Sequence, residues 1–179
     1  MRTKRMSYAA LMCAVIIVST LWFKFTIPGT DVMVTTQVFF VLLTGHLLPP
    51  AYAFGTLGVY LMLGLAGLPV FSAASGPAVL STPSFGFLLA FPFQAAAVSL
   101  VRRQIGQRKG ARCAAGLVGV LAGYAVALPY IALLKGVFLN APIPLATLFS
   151  AYCLAFLPMD VAKALLCAPL ARRLEKIIG

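Results

Sequence analysis

Six long apolar stretches, separated by short polar or proline-containing breaks, dominate the pattern of hydrophobic and polar residues along the chain. An apolar helix needs about 20 residues to cross the hydrocarbon core of a bilayer. The stretches reach or approach that length, and they lie at 6–25, 32–48, 51–68, 84–101, 113–137 and 145–170. The pattern therefore predicts an all-α, polytopic membrane protein with six transmembrane helices.

Prolines and glycines divide the predicted helices. Pro49 and Pro50 separate the second stretch from the third, and because proline breaks a helix and restricts the residue before it, these two stretches are predicted to form a helical hairpin. Between Gly67 and Pro83 the chain carries three prolines and many small residues without a helical period, which predicts a long loop. Loops of this length are uncommon unless they have a function.

The composition agrees with a membrane protein. Hydrophobic residues make up 62% of the chain, charged residues only 9%, and the mean hydropathy is +1.03. A soluble core of 179 residues could not bury that many apolar side chains, so the cell membrane is the expected location. The first apolar stretch continues past Phe23 without a small-residue cleavage site, so it is expected to remain as a span and not to be removed as a signal peptide.

The basic residues predict the orientation of the spans. Eleven of the 14 lysines and arginines fall into three clusters, which follow zero, four and six predicted spans. The clusters comprise Arg2, Lys4 and Arg5; Arg102, Arg103, Arg108, Lys109 and Arg112; and Arg172, Arg173 and Lys176. Even span counts place all three on one side, which the positive-inside rule identifies as the cytoplasm. We therefore expect both termini in the cytoplasm and one integral membrane domain over 1–179. The basic clusters are expected to contact the lipid bilayer, and this accounts for the net charge of +11 without a nucleic-acid partner.

Asp160 and Lys163 are the candidate functional residues. Asp160 is the only acidic residue in any of the six stretches, and it precedes Lys163 by three positions in the last one. Residues three apart share one helix face, so both can point into the bundle, where an ionisable group is by default a functional candidate. Counted back from Arg172, Asp160 lies about 18 Å along the last helix, in the outer half of the bilayer. The alternative is a structural ion pair that locks two helices.

A polar cavity open to the outside, covered by the first loop and the 67–83 loop, follows from this placement. Its aspartate can accept hydrogen bonds from N–H donors and its lysine can donate to carbonyl or carboxylate oxygen, while Val70 and Phe71 can cover a hydrocarbon part. This chemistry suits a small polar molecule. The sequence has no phosphate-binding glycine-lysine motif, so the chain is not expected to use ATP by itself.

Three segments of the sequence together carry a specific resemblance to a known family. They are Leu65-Ala-Gly-Leu-Pro-Val-Phe71 with the small-residue loop after it, Thr35-Thr-Gln37, and Phe156-Leu-Pro-Met-Asp160-Val-Ala-Lys163. Together they resemble the BioY-type biotin transporters, the substrate-binding S components of energy-coupling factor transporters, over nearly the whole chain. The resemblance implies biotin uptake across the cell membrane by a high-affinity, outward-facing binding subunit, and it places the family's biotin-binding aspartate and lysine on Asp160 and Lys163.

The resemblance also implies contacts with biotin. Asp160 would accept from the ureido N–H groups, and Lys163 would donate to the ureido oxygen or to the carboxylate. The remaining binding residues would come from the two loops and are Gln37, Phe71, Ser75 and Gly76. Ser75 stands where the family usually has an asparagine, so the details of the pocket are expected to differ.

Ala10 and Ala14 in the first predicted helix have a small-xxx-small spacing. It resembles the face through which S components dock on a membrane-embedded coupling subunit, where small residues permit close approach of two helices. The resemblance therefore implies an energy-coupling subunit and an ATPase pair as partners, but the sequence leaves open whether this chain works with them or alone. The alternative is that both alanines pack inside the chain.

Functions other than biotin uptake are compatible with parts of the sequence. An S component for another small vitamin and a non-catalytic assembly subunit remain alternatives. An intramembrane enzyme is disfavoured, because the sequence has no His-Glu-x-x-His motif and no pair of intramembrane aspartates, although a serine-lysine arrangement stays open. No catalytic residue, metal site or cofactor is expected, and biotin would be the transported ligand.

The single histidine and the four cysteines are interpreted as structural. His46 lies at one end of the second predicted span and is expected to be structural or solvated. The cysteines show no CxxC spacing, so they are expected to be small buried hydrophobic residues and neither zinc ligands nor disulfide partners. They are Cys13, Cys113, Cys153 and Cys167.

Overall fold

Helices account for most of the protein in a computed structural model that describes residues 2–22, 24–26, 33–72, 74–106 and 110–178. The helices are α1 (Arg2–Trp22), α2 (Gln37–Leu47), α3 (Pro50–Leu65), α4 (Ser84–Ile105), α5 (Ala111–Leu133), α6 (Leu145–Phe149) and α7 (Leu157–Ile178). Two short strands, β1 (Lys24–Thr26) and β2 (Met33–Thr35), and a 3-10 helix at Pro77–Ser81 complete the described elements. The helical class predicted from the apolar pattern is confirmed.

Two π-helical segments lengthen these helices. Leu134–Phe138 extends α5, and Ser150–Leu154 joins α6 to a turn at 155–156, after which α7 begins. The stretch predicted over 145–170 is thus one long helical run, Leu145–Lys176, that a wide turn distorts before Pro158. Pro158, the second residue of α7, has no N–H to donate, and just before it the chain makes a wider turn in which the N–H of Ala155 donates to the Ser150 carbonyl at 3.2 Å. The described residues thus contain six helical runs, the last of which is distorted.

Four of these runs are long and apolar enough to cross a membrane, namely α1, α4, α5 with its extension, and the run from α6 through α7. The other two, α2 and α3, have 11 and 16 residues and are shorter than predicted. At 1.5 Å per residue, α2 is about 16 Å long, roughly half of the hydrocarbon thickness. By contrast, α4 and α7 extend past their predicted ends, because arginine, lysine and glutamine are good helix formers.

A small antiparallel ribbon replaces part of the predicted first loop. Lys24 of β1 lies opposite Thr35 of β2, and Thr26 lies opposite Met33. Strands of three residues are shorter than the about four to eight residues over which an alternating pattern can be recognised. The middle of the predicted loop, 27–32, lies outside the described residues. The ribbon leads directly into Gln37, the first residue of α2, and so helps to position a candidate site residue.

Helix α4 is central to the packing. It contacts α2, α3 and α5, while α7 packs on α2 and α5, and α1 packs on α2 and α3. Glycines permit close approach at two of these contacts. A Cβ atom at Gly123 of α5 would overlap the side-chain amide of Gln94, and one at Gly45 of α2 would lie 2.5 Å from the carbonyl oxygen of Ala95. Larger residues at either position would push a neighbouring helix away from α4.

A cluster of charged residues joins three helix ends. Glu175 of α7 accepts hydrogen bonds from Arg102 of α4, at 2.8 Å, and from Arg112 of α5, at 2.5 Å. We call these three residues the basic-end cluster. It brings the second and third basic groups of the sequence to the same end of the bundle.

The histidine and the cysteines occupy structural positions. His46 is completely buried, and within the described ranges neither of its ring nitrogens has a hydrogen-bond partner, so it is structural and not solvated. All four cysteines are free thiols, with Cys13 and Cys167 buried and the other two half-buried. This agrees with their interpretation as small hydrophobic residues.

Candidate binding cavity

A narrow cavity lies among the start of α2, the first half of α4, the loop between α3 and α4 (66–83, hereafter the α3–α4 loop) and the start of α7. Its polar lining residues are Thr35, Gln37, Ser72, Ser84, Asp160 and Lys163. Its apolar lining residues are Val38, Phe87, Leu88, Phe91, Phe156 and Met159. The cavity therefore combines one charged pair, several neutral hydrogen-bonding groups and a largely aromatic wall, a composition typical of small-molecule sites.

The structure brings Asp160 and Lys163 together at this cavity. Lys163 Nζ donates to Asp160 Oδ1 at 3.0 Å, and Asp160 is only 7% exposed. A buried carboxylate without a partner would be strongly destabilising, so the ammonium group offsets the cost of burying it. Because both residues belong to α7, their ion pair does not itself join two helices.

Tyr124 of α5 is the second partner of Asp160. Its Oη donates to Asp160 Oδ2 at 2.8 Å within the buried interior. Each carboxylate oxygen thus accepts one hydrogen bond, one from an ammonium and one from a hydroxyl. An ionised carboxylate has about four acceptor positions, so capacity remains for a ligand. Tyr124 was not among the site residues expected from the sequence. The signal that could have indicated it is a hydroxyl group within an apolar span, which needs a hydrogen-bond partner there.

Gln37 connects the cavity to the α3–α4 loop. It is 2% exposed, and its Nε2 donates to Tyr60 Oη on α3 at 2.5 Å. Tyr60 Oη in turn donates to the Val70 carbonyl at 3.0 Å. Thr35 Oγ1 accepts from the Gln37 backbone N–H at 3.3 Å. These bonds link β2, α2, α3 and the loop, so a ligand that touches Gln37 also touches the network that holds the loop.

Three phenylalanines form the apolar wall of the cavity. Phe87 and Phe156 pack with their ring centroids 6.1 Å apart, and Phe91 lies one helical turn beyond Phe87 on α4. The ring of Phe87 also meets that of Tyr124 edge to face at 5.8 Å. Such flat surfaces suit the hydrocarbon part of a ligand, while the polar groups opposite fix its orientation.

The loop contributes a different residue from those predicted. Ser72 lines the cavity, whereas Phe71, Ser75 and Gly76 do not belong to its lining. Ser75 is half-buried elsewhere in the loop. The roles of these three residues in binding remain predictions, and any direct contact with a ligand requires the loop to rearrange.

Phe71 and Gly76 instead fasten the loop to α3. The Phe71 ring is buried and meets Tyr60 edge to face at 5.3 Å, and it also fills the space beside Gly64. The N–H of Gly76 donates to the Gly64 carbonyl at 2.7 Å. Gly76 has φ +79°, a left-handed conformation that favours glycine, so a side chain at this position would strain the attachment.

Ser72 and Ser84 are cavity residues that sequence reasoning missed. Ser84 is the first residue of α4, where a serine is common at any helix N-terminus. Ser72 is one of several small residues in a loop. Neither serine differs by type or spacing from its neighbours, so only the tertiary structure distinguishes them.

Ala10 and Ala14 lie on the outer surface of the bundle. Both side chains are exposed, so they do not pack inside the chain as the alternative interpretation expected. Ala14 borders an apolar groove between α1, α2 and α7, and Ala10 borders a second groove between α1 and α3. This surface is available to lipid or to another membrane helix.

Among the described residues there is no group of three or more His, Cys, Asp or Glu side chains that could hold a metal ion. A serine-lysine enzyme needs a neutral lysine as its base. Lys163, the lysine of this cavity, is instead engaged with the Asp160 carboxylate at 3.0 Å.

Comparisons with known proteins agree on one family. The sequence model described as the BioY family matches residues 1–179. A probable biotin transporter BioY from Lysinibacillus sphaericus is 33% identical over 152 residues, which cover 84% of this chain and 78% of that protein. A probable biotin transporter BioY from Pyrococcus horikoshii is 31% identical over 176 residues, covering 98% of each chain.

A solved structure resembles the fold closely. It is the crystal structure of the S-component for biotin from an ECF-type ABC transporter, with a TM-score of 0.83 and 29% sequence identity. The match covers 98% of this chain and 92% of that one.

Proposed function

Because the chain belongs to the BioY family, we propose that it captures biotin in the cavity beside Asp160 and Lys163. The chain is a multi-pass membrane protein, the S component for biotin of an energy-coupling factor transporter, and not an enzyme. The observation that carries the choice of site is the buried carboxylate of Asp160, which has two donors and still faces the cavity.

The cavity chemistry matches biotin group by group. Asp160 accepts from ureido N–H, and Lys163 donates to the ureido oxygen or, in the other orientation, to the carboxylate of the tail. Thr35, Gln37 and Ser72 are neutral groups that complete the hydrogen bonding. The phenylalanine wall covers the bicyclic ring and the alkyl tail.

The α3–α4 loop has to move for biotin to enter. The cavity has a volume of about 50 Å³, while pockets for drug-sized ligands occupy roughly 300 Å³ or more. The loop is fastened near both ends, by Tyr60 at Val70 and by Tyr130, whose Oη donates to the Leu80 carbonyl at 2.6 Å. Its middle is attached as well, by the Gly76 N–H that donates to the Gly64 carbonyl, so entry of biotin requires at least one of these contacts to open.

Six membrane crossings, with both termini in the cytoplasm and one domain over 1–179, fit the charge pattern. Glu175 holds Arg102 and Arg112 at one end of the bundle, which the positive-inside rule makes the cytoplasmic end. Asp160 lies 15 positions before Glu175 on the same helix, about 22 Å toward the opposite end. The cavity then opens to the outside, as capture of an external vitamin requires.

The outer surface of α1 is the proposed contact for an energy-coupling subunit, itself associated with an ATPase pair. Ala10 and Ala14 are exposed there, and small side chains permit close approach of a second membrane helix. Uptake by the chain alone, with lipid covering this surface, is the other possibility.

Equilibrium binding of biotin to the detergent-purified chain tests the site. Asp160→Asn and Lys163→Ala should each weaken binding by about tenfold or more, because a hydrogen bond to a charged group contributes roughly 1.5–3 kcal/mol. Lys176→Ala is the matched control, since Lys176 is an exposed lysine on the same helix. It should bind like the wild type.

The possible outcomes separate the alternatives. If Asp160→Asn binds biotin as tightly as the wild type, Asp160 is not part of the site. If the neutral double variant Asp160→Asn with Lys163→Gln fails to fold, as judged by circular dichroism and thermal unfolding, the pair is structural. If the folded wild type binds no biotin, the biotin assignment fails and other small vitamins become the candidates.

A further inference from the structure

We propose that Tyr124 is a positioning residue for ligand recognition, which holds the carboxylate of Asp160 in the orientation that accepts from the ligand. The proposal rests on the assignment of Asp160 as a ligand-binding residue. It concerns a residue on a different helix, α5, that does not itself line the cavity.

The contact between Tyr124 and Asp160 is direct and buried. Tyr124 is 6% exposed and Asp160 is 7% exposed, and the distance from Oη to Oδ2 is 2.8 Å. The Tyr124 ring lies against the edge of Phe87, which does line the cavity. Tyr124 is therefore behind the wall of the site, where it can act on a ligand only through its neighbours.

Two donors from different helices are needed to hold this carboxylate. The last torsion of an aspartate side chain is broad and has no sharp minimum, so one hydrogen bond leaves the carboxylate free to rotate. Lys163 holds Oδ1 from α7, and Tyr124 holds Oδ2 from α5. With both bonds in place, the plane of the carboxylate is determined and its remaining acceptor positions have defined directions.

The same arrangement restricts the kind of ligand. Both protein partners donate, so Asp160 remains an acceptor and the ligand has to supply an N–H or O–H group. A tyrosine is well suited to this position because its hydroxyl adds a donor without adding a second positive charge. Tyr124 thereby contributes to selectivity for a ureido-like donor although it does not touch the ligand.

The acidic residues of the chain permit a direct test. They are Asp31, Asp160 and Glu175, so aspartate carrying ¹³C at its side-chain carboxyl carbon gives only two signals. Asp160→Asn identifies the signal of Asp160 by removing it. In the purified protein without biotin, Tyr124→Phe should shift that signal, because the carboxylate loses a hydrogen bond. The control Tyr52→Phe, which removes a hydroxyl from α3 away from the cavity, should leave it unchanged.

Biotin affinity then shows whether this orientation matters. Tyr124→Phe should weaken binding by about tenfold, the lower limit for a hydrogen bond to a charged group, while keeping the ring that packs on Phe87. In the Asp160→Asn background, Tyr124→Phe should weaken binding by less than about twofold, because its effect depends on the carboxylate. A purely structural role of Tyr124 would weaken both backgrounds equally.

Three results would overturn the proposal. They are an unshifted Asp160 signal in Tyr124→Phe, a shifted signal with wild-type affinity, and a tenfold loss that persists in the Asp160→Asn background. If the folded wild type binds no biotin at all, the proposed function fails, whereas the labelled signal still decides whether Tyr124 holds the carboxylate.

Discussion

Two carboxylates on α7 show how similar groups come to serve different purposes. Glu175 accepts from two guanidinium groups on two other helices, so it ties α4, α5 and α7 together at the basic-end cluster. Asp160, about 22 Å away along the same helix, accepts from one ammonium on its own helix and one neutral hydroxyl. The first arrangement joins three helices through charged contacts, while the second joins only α5 and α7, through a neutral hydroxyl, and holds a carboxylate in place beside a cavity.

The difference lies in charge balance and in geometry. Each oxygen of Glu175 accepts from one arginine, just as each oxygen of Asp160 accepts from one donor, but the two arginines leave the cluster positively charged. One lysine and one tyrosine leave Asp160 electrically balanced, and it lies beside a cavity where it can still accept from a ligand. A charged group in a membrane helix is therefore better classified by the charge balance of its partners and by the cavity beside it than by the presence of a partner.

Removal of both charges at the cavity should have the largest effect. The double variant Asp160→Asn with Lys163→Gln is expected to weaken biotin binding at least about a hundredfold, because two charged hydrogen bonds are lost. The protein should stay folded, because a neutral pair leaves no uncompensated buried charge. Titration calorimetry together with thermal unfolding checks both points, and binding within tenfold of the wild type would contradict the assignment.

Removal of the charge at the basic-end cluster should act on stability instead. Glu175→Gln is expected to lower the free energy of unfolding by about 1–2 kcal/mol, since Arg102 and Arg112 lose their charged partner. The side chains of Arg102 and Glu175 are 24% and 21% exposed, which keeps the loss below that of a fully buried pair. Biotin affinity should stay within about twofold. A large loss of affinity in a stable variant would remove the distinction between the two carboxylates.

The attachment of the α3–α4 loop should have a smaller effect on binding. Tyr60→Phe removes the donor to the Val70 carbonyl and the acceptor for Gln37. We expect about fivefold weaker binding, the equivalent of about 1 kcal/mol for a neutral hydrogen bond, mainly through faster release of the ligand. Release of labelled biotin into excess unlabelled biotin measures the rate, and an unchanged rate would show that the loop does not retain the ligand.

The smallest effect is expected at an exposed neighbour of the basic-end cluster. Arg103 is adjacent to Arg102 but its side chain is exposed. Arg103→Gln should change the free energy of unfolding by less than about 0.5 kcal/mol and leave biotin affinity unchanged. If Arg103→Gln unfolds at a clearly lower temperature than Glu175→Gln, the total positive charge at this end of the bundle, and not the specific contacts of Glu175, determines its stability.

The apolar pattern was sufficient to predict the helical class and the number of helical runs. It also located Asp160 and Lys163, because an intramembrane aspartate is rare and a spacing of three places both residues on one helix face. Such signals are local, so they can be read from a single sequence. The basic clusters predicted correctly that Arg102 and Arg112 lie at the same end of the bundle as the end of α7.

Features that depend on contacts between distant segments could not be read in this way. The ribbon of β1 and β2 has three residues per strand, too few for an alternating pattern. Pro158 marks a distortion of the last helix, but its sequence does not indicate that the distortion takes the form of a π-helical turn. Tyr124 becomes part of the site only because α5 packs against α7. In the loop, Ser72 faces the cavity while Phe71 turns toward Gly64, and this alternation is set by the packing of the loop on α3.

Thermal unfolding with and without saturating biotin distinguishes the two carboxylates most directly. Bound ligand stabilises a folded protein by about 2.7 kcal/mol at a concentration 100 times its Kd. Asp160→Asn leaves Lys163 without its charged partner and should unfold below the wild-type temperature, yet gain little from biotin, whereas Glu175→Gln should also unfold at a lower temperature but gain as much as the wild type. The opposite pattern, with biotin stabilising Asp160→Asn fully and Glu175→Gln not at all, would contradict the placement of the binding site at Asp160.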